Sequence, residues 1–178
     1  AAIAAFILVG FNACKSDDNP TPAAPTMTGL NVSGDLKDYV ASVSFSEAVY
    51  AAADKTGNLV KTSFDVEVNG GSSILDYSVI HTSGETSAKI NITLSENSTG
   101  AEVVVVKPTS ATSIYNATGQ AMEANQSQES SLTAKTVVVK DSGEGTGTTT
   151  WTADHVYILD GLVFVNEAQT LTIEAGTV

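Results

Sequence analysis

From Thr26 onward, apolar residues recur at every second position in a series of short runs. Ala41, Val43 and Phe45 alternate with Ser42, Ser44 and Ser46. Phe64, Val66 and Val68 alternate with Asp65, Glu67 and Asn69, and Leu75, Tyr77 and Val79 with Asp76 and Ser78. Ile90, Ile92 and Leu94 alternate with Asn91, Thr93 and Ser95. A period of two sends successive side chains to opposite faces, so each run predicts a strand with one dry and one wet face. Val103–Val106 is apolar throughout, which predicts a strand covered on both faces. Thr28–Ser33 and Leu132–Val139 supply the first and last of about seven strands. Asn69-Gly70-Gly71, Ser83-Gly84 and Ser98-Thr99-Gly100 mark turns between them. No segment carries a helical stripe. The expectation for residues 26–137 is an all-β, seven-stranded two-sheet sandwich.

Past that point the pattern changes. Residues 138–150 are rich in glycine and threonine, the composition of a flexible linker. A new module is expected over residues 151–178. There Leu171 and Ile173 alternate with Thr172 and Glu174, and Asn166-Glu167 and Ala175-Gly176 read as turns. Short strands at this spacing suit one coil of a solenoid. A single coil cannot bury its own stacking face, here Val163, Val165, Leu171 and Ile173. The coil is expected to be truncated, with later coils beyond it.

Ahead of the strands, Ala1–Ala13 is apolar but shorter than the roughly 20 residues a spanning helix needs. It reads as the hydrophobic part of an incomplete signal peptide, residues 1–13. The chain's one cysteine, Cys14, follows it directly, so no internal disulfide can form. Within residues 14–25, Cys14 is followed by Lys15, Ser16, Asp17 and Asp18, and the stretch ends in a proline-rich spacer that favours extended polyproline conformation.

Composition narrows the functional classes. The basic residues number eight, all lysine, against 20 acids, for a net charge of −12. A chain without a basic face does not displace counterions from a nucleic acid or dock on anionic lipid by charge. His81 and His155 are the only histidines, and each reads as an ordinary, partly exposed residue. Neither accompanies a Gly-x-Ser-x-Gly elbow. Gly143, Gly145 and Gly147 lack the lysine and following helix of a phosphate loop. Most acids alternate with core positions and so fall on wet faces. Asp154, Asp160, Asn166 and Glu167 offer oxygen ligands for calcium, though without EF-hand spacing. No catalytic residue and no cofactor is expected.

Several stretches resemble known families. Phe11-Asn12-Ala13-Cys14 resembles a bacterial lipobox, with phenylalanine where leucine is usual. Lys15-Ser16-Asp17-Asp18 resembles the export tag of Bacteroidota surface lipoproteins. Val43-Ser44-Phe45-Ser46-Glu47-Ala48-Val49-Tyr50 looks like the second strand of bacterial Ig-like domains of S-layer and surface proteins. Residues 113–122, from Ser113 to Met122, resemble that family's late loop, with Gln120 in place of the usual asparagine. Leu159 to Val178 looks like the first coil of right-handed parallel β-helix surface proteins of the pectate-lyase-like kind. Together these imply lipid attachment at Cys14 and an Ig-like stalk over 26–137. They imply a location on the outer membrane, facing the cell exterior, and contact with glycans or other surface proteins. The expected function is a non-catalytic surface lipoprotein, a stalk or adhesion module displaying a β-helical domain. The alternative is the N-terminal part of a polysaccharide-binding or polysaccharide-degrading β-helix enzyme.

Overall fold

A computed structural model describes residues 22–153 and 155–177. Cys14, the tract Lys15–Asp18 and the apolar run before them lie outside those residues. Among the described residues the regular structure is β, apart from one 3₁₀ turn at Lys61–Ser63. In order, the strands are β1 (Met27–Asp35), β2 (Asp38–Phe45), β3 (Val49–Tyr50), β4 (Phe64–Asn69) and β5 (Ile74–Ile80). Then come β6 (Ser87–Leu94), β7 (Val103–Pro108), β8 (Tyr115–Asn116) and β9 (Gln128–Ser131). The last four are β10 (Thr136–Val139), β11 (Thr149–Trp151), β12 (Val156–Leu159) and β13 (Leu171–Ile173).

Two antiparallel sheets share one core. One runs β1-β2-β6-β5 and the other β4-β7-β9, with the short pair β3-β8 beside them. The alternation in the sequence decides which side chains meet. Tyr39, Ala41, Val43 and Phe45 of β2 and Ala88, Ile90, Ile92 and Leu94 of β6 point inward. From the other sheet come Phe64 and Val66 of β4 and Val104 and Val106 of β7. Phe45 and Phe64 stack across the gap with ring centroids 6.5 Å apart. Burying each such side chain contributes about 1.5–3 kcal/mol, enough to hold two sheets face to face.

Three strand expectations need correction. Leu75 does not point inward: a bulge between Ile74 and Asp76 sets Ile74 opposite Leu94 and leaves Leu75 71% exposed. An extra residue at a bulge shifts parity for what precedes it. Val103–Val106 is not covered on both faces, since Val103 and Val105 remain half-exposed on the outer side. The last strand was expected at Leu132–Val139. The sandwich instead takes Gln128–Ser131, which pairs antiparallel with Val103–Val106. Leu132 still reaches the core, and its N–H donates to Glu102 O at 2.8 Å.

Thr136–Val139 pairs elsewhere. β10 lies parallel to β12, with Thr136 opposite Val156 and Val139 opposite Leu159. β11 lies parallel to β13, with Thr149 opposite Leu171 and Trp151 opposite Ile173. Both ladders join segments offset by about 20 residues, within the range of solenoid repeats. The stretch between β10 and β11, expected as a loose linker, is a pinned loop. Asp141 Oδ1 accepts N–H bonds from Gly143 and Gly145, at 2.7 and 3.0 Å, and its Oδ2 accepts one from Phe164 at 3.0 Å. Those three amides hold the Asp141 carboxyl below its ordinary range, Gly143 most strongly. Gln169 Nε2 donates to Glu144 O at 2.8 Å, so the loop 141–147 sits on the loop 161–169 as β10 and β11 sit on β12 and β13.

Candidate functional site

The end of the sandwich from which β10 departs is built by three polar anchors. Asp35 closes the β1–β2 hairpin and accepts N–H bonds from Leu36 at 2.9 Å and from Lys135 and Thr136 at 3.1 Å each. The Thr136 hydroxyl also donates to it. Burial alone would raise the Asp35 carboxyl. The Thr136 hydroxyl and the amides of Leu36, Thr136 and Lys135 outweigh it, and the net shift is downward. One side chain thus ties the hairpin to the first residue of β10. Asp35→Ala is expected to cost on the order of 2 kcal/mol, because charge-assisted bonds to amides are lost together. Hydrogen exchange should then quicken across 136–139 and 156–159 while Ile90 and Ile92 stay slow. Equal loss of protection in all of these segments would show that Asp35 serves the sandwich itself.

Glu102 is the second anchor and is fully buried. Its carboxylate accepts N–H bonds from Ser72 at 3.2 Å, Thr99 at 3.0 Å and Gly100 at 2.9 Å, and the Thr99 hydroxyl donates at 3.1 Å. Burial pushes its carboxyl up, but the donors of Thr99 and Ser72 prevail and hold it below the ordinary value. A β-carbon on Gly71 would collide with this carboxylate, so any larger residue there must push Glu102 off its donors. The hydroxyls of Tyr39 and Ser98 form the third anchor, hydrogen-bonded in the interior. A cleft of about 240 Å³ beside them is lined by Asn97, Thr99, Val137, Val138 and His155. That is smaller than most small-molecule sites, which run from about 300 Å³.

The outer level of the parallel ladders is unlike the rest of the surface. Val156, Ile158, Leu159, Phe164, Val165 and Ile173 are exposed there, and Leu162 is 80% exposed. Behind this edge Trp151 and Tyr157 stack at 4.6 Å with an 8° angle between rings. Tyr157 Oη accepts the Thr152 N–H at 3.0 Å, which fixes the ring against the turn between β11 and β12.

The residues singled out in the sequence are not gathered into one site. Cys14, Lys15, Ser16, Asp17, Asp18 and Asp154 lie outside the described residues. Asp160 pairs with Lys140 at 3.2 Å, while Asn166 and Glu167 lie exposed in the loop 161–169. Among the described residues no group of three or more His, Cys, Asp or Glu side chains converges on a metal position. No helix among them is long and apolar enough to cross a membrane. His81 corrects its sequence reading: it is 5% exposed, not partly exposed. His155 is half-buried, with Nδ1 3.0 Å from Thr152 Oγ1.

Two anchors went unread. Asp35 carried no local signal of its anchoring role, because Lys135 and Thr136 lie about 100 residues on. Glu102 did carry one. It shares parity with Val104 and Val106, so the period of two already aims it into the core. The late loop resembling surface-protein domains is organised by Asn116, also buried. Its Oδ1 accepts from the Thr118 and Gln120 amides at 3.0 and 2.9 Å, and its Nδ2 donates to Ala23 O at 2.9 Å and Glu47 Oε1 at 3.1 Å.

No protein-family profile matches the chain. No curated protein matches it either. Among solved structures it is similar to the N-terminal part of the bacterial S-layer protein SbsC, at 16% identity and a TM-score of 0.41. That alignment covers 65% of this chain, and the chain spans 24% of the SbsC structure.

Proposed function

We propose that this chain is a non-catalytic cell-surface lipoprotein of the outer membrane that displays a β-helical domain outward. Cys14 carries the lipid, residues 15–25 form the tether, and the Ig-like sandwich is the stalk. β10–β13 form the first two levels of the β-helix. The observation that carries the reading is the pair of parallel ladders with similar offsets, ending in an exposed apolar level. Parallel strands need covered faces, and a solenoid supplies the cover by stacking the next coil. The strands of that outer level are therefore a seat for further coils and not a catalytic cleft.

Metabolic labelling with a palmitate analogue tests the anchor. Two or more acyl chains, each contributing about 0.8 kcal/mol per buried methylene, give a stable hold on a bilayer. Label should appear in the full-length protein and vanish in Cys14→Ser, which should also leave the membrane fraction. Undiminished labelling of Cys14→Ser would overturn lipid attachment at this residue.

A further inference from the structure

The loop at 51–60 is closed on itself. The Ala51 N–H donates to Gly57 O at 3.2 Å, the Ala52 N–H to Thr56 O at 3.1 Å and the Lys55 N–H to Ala52 O at 3.1 Å. It meets the sandwich through Leu59, 1% exposed, whose N–H donates to His81 Nδ1 at 3.1 Å. Next to that bond the Ser83 N–H donates to Asn58 Oδ1 at 2.9 Å. An imidazole that accepts at Nδ1 must be neutral, with its proton on Nε2. That Nε2 is sealed from water and makes no hydrogen bond of ordinary geometry.

We propose that His81 is an acid-released latch, holding the loop 51–60 on the sandwich when neutral and freeing it when protonated. A second proton would place a donor at Nδ1 facing the donor N–H of Leu59, with the two nitrogens 3.1 Å apart in the interior. The bond becomes a repulsion, and Leu59 leaves the core with the loop. Burial lowers the proton affinity of the ring, and the Glu85 backbone and carboxylate pull the other way without overcoming it. The other charges around the latch are already committed or exposed. Glu85 accepts the Thr82 N–H at 3.1 Å, and Asp54 accepts the Thr56 N–H at 3.2 Å. Lys61 pairs with Asp76 at 2.5 Å, and Lys55 and Lys89, opposite Ile80 in the ladder, point to solvent. Because the folded ring binds its proton more weakly than an unfolded one, the latch is intact above about pH 6.5. It is lost as pH falls from there toward the folded value.

The test is an NMR titration of the full chain from pH 7.5 to pH 5, with amide exchange corrected for its intrinsic pH dependence. As pH falls from about 6.5 toward the folded His81 midpoint, exchange at Leu59 should rise by up to tenfold for each pH unit, the limit for one linked proton. Ile90 and Ile92 should keep their protection. In His81→Gln the side-chain oxygen can accept the same N–H at every pH, so the Leu59 response should be flat. Unchanged Leu59 protection while the His81 ring protonates would overturn the latch, as would a wild-type pH response in His81→Gln. Should that variant fail to fold, the wild-type midpoints decide. A Leu59 opening midpoint more than about one unit from the His81 midpoint overturns the proposal.

Discussion

Glu102→Ala is expected to destabilise the sandwich by about 3–5 kcal/mol, because truncation leaves several buried donors without an acceptor. The amides of Ser72, Thr99 and Gly100 all end on this carboxylate, so two loops lose their common fastening at once. Glu102→Gln keeps the shape but points an amide donor at other donors, and should fall between the two. The pH dependence separates charge from packing. The Glu102 carboxyl is held below its ordinary value in the fold, so its contribution is complete above about pH 4.5 and is lost as pH falls through the folded value. Urea unfolding at pH 7 and at pH 3.5 should therefore show a gap between wild type and Glu102→Ala that narrows in acid. A gap under about 1 kcal/mol, or one that ignores pH, would mean that the loops are held by something else.

The second large effect belongs to Phe64, 2% exposed and stacked on Phe45 across the inter-sheet gap. Removing a buried aromatic side chain from a well-packed core costs about 3–5 kcal/mol in lost transfer energy and residual cavity. Phe64→Ala should therefore rank with Glu102→Ala in urea unfolding. Leu75 is a stringent control, since the sequence pattern alone would place it in the same core. At 71% exposure, Leu75→Ala should move stability by no more than about 0.5 kcal/mol. Equal costs for the two variants would mean that the bulge between Ile74 and Asp76 is absent in solution.

These comparisons show which forces are local enough to read. Burial parity along β2, β4 and β6 was legible because a period of two is a property of neighbouring residues. The bulge at Leu75 was not, since parity cannot count an inserted residue. Thr136–Val139 is as apolar and β-branched as any sandwich strand, and nothing in it says whether its partner is β7 or β12. Pairing is settled by the chain between, and Asp35 and Asp141 settle it through backbone amides that belong to no motif. The candidate edge was only half legible. The alternation at Leu171 and Ile173 marked β13, while its parallel partner β11 and the strand β10 lay in residues that looked like linker and last strand.

The residues ahead of β1 and the strand β10 are fastened at opposite ends of β1. Ala23 is held by Asn116 close to Met27, the first residue of that strand, and Thr136 is held by Asp35, its last. A strand of 9 residues is about 30 Å long, so the domain adds that height between its two attachments. A pull applied between those two attachments would run along β1. The ladder to β2, from Met27–Phe45 to Asp35–Asp38, would then carry the load with its bonds sharing the strain side by side, as in a lap joint.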